Sequence, residues 1–355
     1  MDAGWREFLV ANGARAGEAA PGIGFTVSDF GDPIKELRAS RDASIVVPIA
    51  GLGVIDIAGA DAGDFLHNQL SSDVAGLATW QAQTSAYCSP KGRVLANFLL
   101  WREPARYCGL LSAGLAESIR KRLSMFVLRS KVTLTDISEH FVLFGVSGPA
   151  AASALTSALS AVPGAPMAVT ETPSATVLRL GSARFLLMLP TPSAPAVWTT
   201  LASQVTPVGE PAWHWLDIRS GIPWITTATQ DQFVPQMANL DLTGAVNFHK
   251  GCYPGQEIVA RTQYLGKLKR RMFLCHAEVE VPPPAGTILY SAALGNQACG
   301  MVVNASRAPD GGIDMLAVMQ VEAVEPTNDS APRLGAIDGA VLTILELPYR
   351  FPQAA

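Results

Sequence analysis

The change of texture at Arg270 constrains the fold of this chain more than any other feature. Beyond it, short apolar runs at 272–279, 286–290, 300–303, 315–321 and 340–347 are separated by Pro, Gly and Asp turns. Runs of strand length between turn residues predict a small all-β barrel or sandwich. Before Arg270 the pattern mixes helices and strands. The segment 46–58 reads as one buried strand ended by Gly59-Ala60-Asp61, with Asp61 placed to cap a helix running to about Leu70. Ser89-Pro90-Lys91-Gly92 reads as a turn between two strands within 85–101. Leu115, Ile119, Leu123 and Phe126 recur at helical spacing, which predicts a helix over 113–128 with Glu117, Arg120, Lys121 and Arg122 on its other face. Further on, 131–136 and 141–146 read as strands, a helix follows to about Val162, a strand pair lies near 167–189, and a helix spans about 194–205. Another helix opens at Pro211 and ends at Gly221 and Pro223. The stretch 224–256 has little periodicity, which makes it either disordered or functional. The class is α+β in three units, 1–140, 141–271 and 272–355, the second carrying the loop discussed below and the last being the β-barrel.

Composition narrows the class of protein. With 49% hydrophobic and 16% charged residues, the chain can bury a sizeable core. Its formal charge of −4 argues against a chain built mainly to hold nucleic acid. Five cysteines (Cys88, Cys108, Cys252, Cys275 and Cys299) are scattered, odd in number and never spaced as CxxC. That excludes a disulfide framework and a four-thiolate zinc site, so no metal is assigned, and it fits a reducing cytosol. The first 25 residues hold no continuous apolar run, and no run of about 18 apolar residues follows. The expectation is a cytoplasmic protein without a membrane segment.

The chemistry centres on Lys250-Gly251-Cys252-Tyr253-Pro254-Gly255-Gln256-Glu257. The Pro-Gly step marks a tight turn, and Gln256 to Arg261 then start a helix with an acid in its first turn. A thiol just upstream of a helix N-terminus and two residues from a lysine sits where thiolate is favoured. Cys252 is then a nucleophile, a redox sensor or a cluster contact; the structural alternative is a small residue buried under a turn. His249 invites a Cys–His pair. The cluster Gly266-Lys267-Leu268-Lys269-Arg270-Arg271 is either an anion-attracting patch or a solvated strand edge. Trp213 and Trp215 flank His214, offering either core indoles or a flat surface for a heterocycle. GxxxxGK[ST], strand-linked GxGxxG, HExxH, GxSxG and SxxK are absent.

The segment from Lys250 to Glu257, with Val259-Ala260-Arg261 after it, resembles the signature of the YgfZ family, whose relatives share the fold of the glycine-cleavage T-protein, an aminomethyltransferase. The likeness extends to Gly59-Ala60-Asp61 with Phe65 and Gln69, to Cys88-Ser89-Pro90-Lys91-Gly92-Arg93 with Asn97, and to Lys131-Val132. It continues through the segment from Trp213 to Gly221-Ile222-Pro223, Phe233-Val234-Pro235-Gln236 with Asn239-Leu240, and Leu347-Pro348-Tyr349. It is weakest over the first 40 residues and 150–205. The resemblance implies a GcvT-like three-domain fold around a central opening, closed by a C-terminal β-barrel, with tetrahydrofolate or a derivative in the opening. It implies a functional thiol at Cys252, with Lys250, Gly251, Tyr253, Gly255, Gln256, Glu257 and Arg261 as the surrounding motif. Folate contacts map to Trp213, to Leu52 where relatives carry an aromatic, and to Arg219 where relatives carry an acid. The T-protein's catalytic acid falls at Ala96 and Asn97, neither of which is a carboxylate. The role implied is an accessory protein for assembly or repair of iron–sulfur clusters in client enzymes, with tRNA modification affected indirectly. Two other readings stay open: a folate-dependent one-carbon transferase or demethylase with a different base, and a direct tRNA-binding factor using 267–271.

Overall fold

The computed structural model describes residues 3–17, 24–264, 268–295, 297–324 and 331–351. The chain divides into two compact units, each built from separate stretches: Met1–Leu66, Val74–Gln83 and Phe98–Trp213 form one, and His67–Asp73, Thr84–Asn97 and His214–Ala355 the other.

In the first unit, the segment expected as a single strand over 46–58 is two strands, Ile45–Ile49 and Leu52–Ala58. The break has a physical cause. The buried carboxylate of Glu210 accepts from the amides of Ala50 at 3.0 Å and Gly51 at 2.6 Å, which removes both from a ladder. Ile45–Ile49 pairs with Phe141–Ser147, which pairs with Arg184–Pro190, then Thr176–Arg179 and Val169–Glu171, all antiparallel. The pair expected near 167–189 is thus three strands. Leu52–Ala58 lies between Arg106–Ser112 and Thr133–Asp136. The helix Ala113–Ser124 buries Leu115, Ile119 and Leu123 of the predicted stripe, but it ends four residues before 128 and leaves Phe126, the stripe's fourth member, exposed. The helix Pro33–Asp42, absent from the sequence reading, carries standard start signals: Asp32 accepts from Lys35 N at 3.0 Å, and proline opens the first turn. A core cluster gathers Trp5, Phe144 and Trp198, with ring centroids 5.3–5.9 Å apart.

Asp61 does not cap the helix Ala62–Gln69 with its side chain. Its carboxylate accepts from Lys131 N at 2.7 Å, and only its backbone carbonyl takes Phe65 N.

In the second unit, the C-terminal texture becomes an antiparallel six-stranded sheet curled into a half-barrel. Its order is Arg333–Leu334, Ile288–Ser291, Gln297–Arg307, Ile313–Gln320, Arg270–Ala277 and Thr343–Leu345. Phe273, Cys275, Leu289, Val302, Met315, Ala317 and Met319 fill its inner face. The aperiodic stretch 224–256 contains one short 3-10 turn, Pro235–Ala238, and is ordered by side chains instead of ladders. Gln236 donates to Val259 O at 2.8 Å, and Asn239 donates to Met272 O at 2.7 Å. Arg271 clamps Asp241 with two bonds of 2.7 and 3.0 Å. One cation of the basic cluster is therefore structural, while Gly266 and Lys267 lie outside the described residues.

Candidate functional site

In the second unit, two sequence-distant motifs meet. The loop 250–257 rests on the turn Ser89-Pro90-Lys91-Gly92, and the contact is glycine against glycine. Gly255 has φ +79, and a Cβ there would lie 2.4 Å from Ser89 O and 2.6 Å from Gly92 Cα. Gly92 has φ +69, and a Cβ there would lie 2.8 Å from Ile258 Cβ. Both positions therefore demand glycine twice over, by conformation and by space. Gly251 differs: its nearest neighbour is His67 Nε2, 3.8 Å from where a Cβ would stand. Gln256 closes the loop by donating to Lys250 O and Gly251 O, each at 3.3 Å. The helix Gln256–Tyr264 follows, with Glu257 in its first turn.

Lys250 faces carbonyls. Its ammonium donates to His67 O and, at 2.6 Å, to Leu70 O, and it lies 5.3 Å from the Tyr253 ring centroid. It thus ties the loop to the C-terminal end of Ala62–Gln69, where free carbonyls carry partial negative charge. Burial lowers its pKa from 10.5 to about 8, with Asp73 pulling weakly the other way. Tyr253 is buried, and that burial raises its phenol. Cys252 is the one exposed cysteine of the five. The others are buried, and burial pushes the Cys88 thiol up to about 12. Among the described residues, neither the Cys252 thiol nor the His249 imidazole makes a hydrogen bond, so the suggested Cys–His pair is not formed; His249 N donates to Asn247 Oδ1 at 2.8 Å. Glu257 and Arg261 are exposed. Among the described residues no group of three His, Cys, Asp or Glu side chains could hold a metal ion.

Sequence reasoning missed the partners of the 89–93 turn. Ser89 Oγ donates to Asp231 Oδ1 at 2.9 Å, and Arg93 donates to Gln232 O at 2.6 Å. The non-glycine φ of +59 at Asp231 has no local sequence signature. His67 was missed as well; it pairs with Asp73 at 3.3 Å and is the side chain nearest Gly251.

Ala96 and Asn97 are buried. Asn97 donates to Pro223 O at 2.8 Å and accepts from Ile225 N at 2.9 Å, so both ends of its amide fasten the backbone after Gly221. Arg219 lies 3.7 Å from Asp314, whose carboxylate also accepts from Trp215 Nε1 at 2.9 Å and sits 2.8 Å from His276 Nδ1.

Trp213 and Leu52 belong to the first unit. The Trp213 indole is 2% exposed, with the Arg184 guanidinium 3.8 Å from a ring centroid. Its ring packs so closely on Gly145 that a Cβ there would lie 2.3 Å away. Leu52 lines a cavity of about 510 Å³ together with Phe25, Asp136, His140, Phe141 and Leu143. Glu117, also on its wall, is bound to Arg120 at 2.8 Å and Lys121 at 3.1 Å, which hold its carboxyl down at about 2.

Comparison with known proteins adds four findings. Residues 24–250 match the family described as the GCVT N-terminal domain. The chain is 33% identical to the tRNA-modifying protein YgfZ of Photorhabdus laumondii over 88% of this chain and 94% of that protein. It is 32% identical to the YgfZ of Shigella sonnei over 82% and 89%. A crystal structure of the glycine cleavage system aminomethyltransferase T from Bartonella henselae superposes with a TM-score of 0.81 at 21% identity, covering 96% of both chains.

Proposed function

The chain belongs to the GCVT N-terminal domain family, among its YgfZ members, and from that premise we propose that it is a folate-binding accessory protein for tRNA modification, acting in the cytoplasm on iron–sulfur enzymes. The observation that carries this reading is the loop 250–257. It presents an exposed Cys252 on a loop held by Gly92 against Gly255, by Lys250 and by Gln256, which leaves its thiol accessible to a client. The position of the transferase acid is held by Asn97, which cannot take up a proton or balance a developing cation. This favours an accessory role over aminomethyl transfer.

The fit of tetrahydrofolate, or a derivative of it, divides among the three side chains assigned to it. Arg219 lies 3.7 Å from Asp314 with its side chain 41% exposed, and Trp213 is only 2% exposed. The cavity at Leu52 has a volume within the roughly 300–1,000 Å³ of small-molecule sites. Phe25 and Phe141 give it aromatic walls, the Asp136 carboxylate can accept from pterin N–H groups, and Arg120 and Lys121 beside Glu117 can attract a glutamate tail. Trp213 acts here by position: it packs on Gly145, in the strand Phe141–Ser147 that supplies Phe141 and Leu143 to the wall.

Titration of the purified protein with tetrahydrofolate and its formyl derivative tests the cofactor. Saturable binding is expected, weakened roughly tenfold or more by Leu52→Glu. Absence of saturation in the wild type would remove folate from the proposal. In cells, Cys252→Ser is expected to lower the activity of cluster-dependent enzymes and the level of tRNA they modify. Wild-type levels of both would reject the thiol's role.

A further inference from the structure

The end of the helix Ala113–Ser124 shows three large apolar side chains to solvent: Met125 at 64% exposure, Phe126 at 45% and Leu128 at 88%. Leu128 also has φ +45, a left-handed conformation that a leucine adopts only under constraint. Ser130 N donates to Val127 O at 2.8 Å and closes the turn that imposes this conformation, which leaves the leucine almost wholly in water. Such features gather where a surface is shaped for contact.

The surroundings set the sign of the partner. From residue 117 to residue 131 the chain holds five cations, Arg120, Lys121, Arg122, Arg129 and Lys131, against the single carboxylate of Glu117. That is a net +4 in a chain whose formal charge is −4. Glu117 engages Arg120 and Lys121. Arg129 and Lys131 are exposed and form no ion pair among the described residues, and Arg122 Nε is buried without a hydrogen-bond partner. Met, Phe and Arg together are what interface cores are enriched in.

We propose that the tip 125–131 is a docking surface for an acidic protein segment with apolar side chains, which covers Met125, Phe126 and Leu128 and pairs its carboxylates with Arg129 and Lys131. Nucleic acid fits less well, because bases stack on flat rings and only Phe126 supplies one. A lipid surface fits less well too, because the apolar face of the helix is buried under Leu115, Ile119 and Leu123 and cannot lie in a membrane.

Selection of short random peptides displayed on phage, against the intact protein, tests this surface. Enrichment of sequences combining Asp or Glu with Leu, Ile or Phe is expected. The selected peptides should bind at least about tenfold more weakly to a Leu128→Asp, Arg129→Glu double variant and weaken as salt is raised. Both positions are exposed and Asp takes a positive φ more readily than Leu, so the variant should unfold at a temperature no lower than the wild type, which separates lost docking from lost folding. The proposal is overturned if no acidic–apolar sequences emerge, or if those that do bind the double variant equally. It is also overturned if phosphatidylglycerol vesicles or total tRNA, and not peptides, bind the wild type and lose the variant.

Discussion

Trp213 and Cys252 are two of the positions to which the family resemblance assigns a role, and the fold treats them oppositely. Trp213 is sealed, with a guanidinium over its ring and a glycine backbone against it. Cys252 stands in solvent, and everything that fixes its loop acts on the backbone or on neighbouring side chains. One side chain is packed against a strand, the other is reachable from solvent. A signature residue can thus be kept for packing or for chemistry, and substitution separates the two: packing residues change stability first, while reactive ones change activity at nearly constant stability.

Substitutions can break or sharpen this contrast. Trp213→Ala is expected to have the largest effect, destabilising the protein by about 3–5 kcal/mol in urea unfolding through loss of a buried aromatic. A cost below about 1 kcal/mol would mean the indole is not a core anchor. Gly255→Ala comes next, at about 1–3 kcal/mol from an unfavourable φ and a backbone clash. It should also change the rate at which iodoacetamide labels Cys252. Gly251→Ala, with open space around it, is the internal control and should leave stability and labelling unchanged.

The effect of Lys250 should be smaller and visible through pH. Its pKa is depressed on folding, so between about 8 and 10.5 the unfolded chain binds the proton that the folded chain has released. Stability contributed by this group therefore rises with pH across that window. Cys88, raised by burial from 9 to about 12, acts in the opposite direction over its own window. The difference between wild type and Lys250→Met isolates the lysine: the wild type should gain stability relative to the variant from pH 7.5 to 9.5. A constant difference would show that Lys250 is not desolvated. Cys252→Ser should shift stability least, within about 0.5 kcal/mol, as befits an exposed side chain.

Much of the fold could be read locally. The stripe of Leu115, Ile119 and Leu123, the turn at Ser89 to Gly92 and the run of short strands beyond Arg270 all appear where their patterns put them, because each pattern answers to the geometry of a single element. Readings failed where a distant partner decided the outcome. The strand over 46–58 breaks because Glu210, some 160 residues away, takes two of its amides. Asp61 turns from its helix to Lys131. The stretch 224–256 is ordered by Asn97, Gln236, Asn239 and Arg271, none of which leaves a periodic trace.

The candidate site divides in the same way. The sequence by itself determined that a cysteine sits in a glycine-bracketed turn before a helix, that positions 96 and 97 hold no carboxylate, and that the chain carries the family's signature. Those are properties of neighbouring residues and of residue type. Only the tertiary structure decided that Gly92 and Gly255 touch, that Lys250 binds carbonyls at a helix end, that Trp213 is sealed while Leu52 faces a cavity, and that Leu128 stands in water. Exposure and partnership depend on which segments the folded chain brings side by side, and that is fixed by packing across long sequence separations, which local pattern does not record.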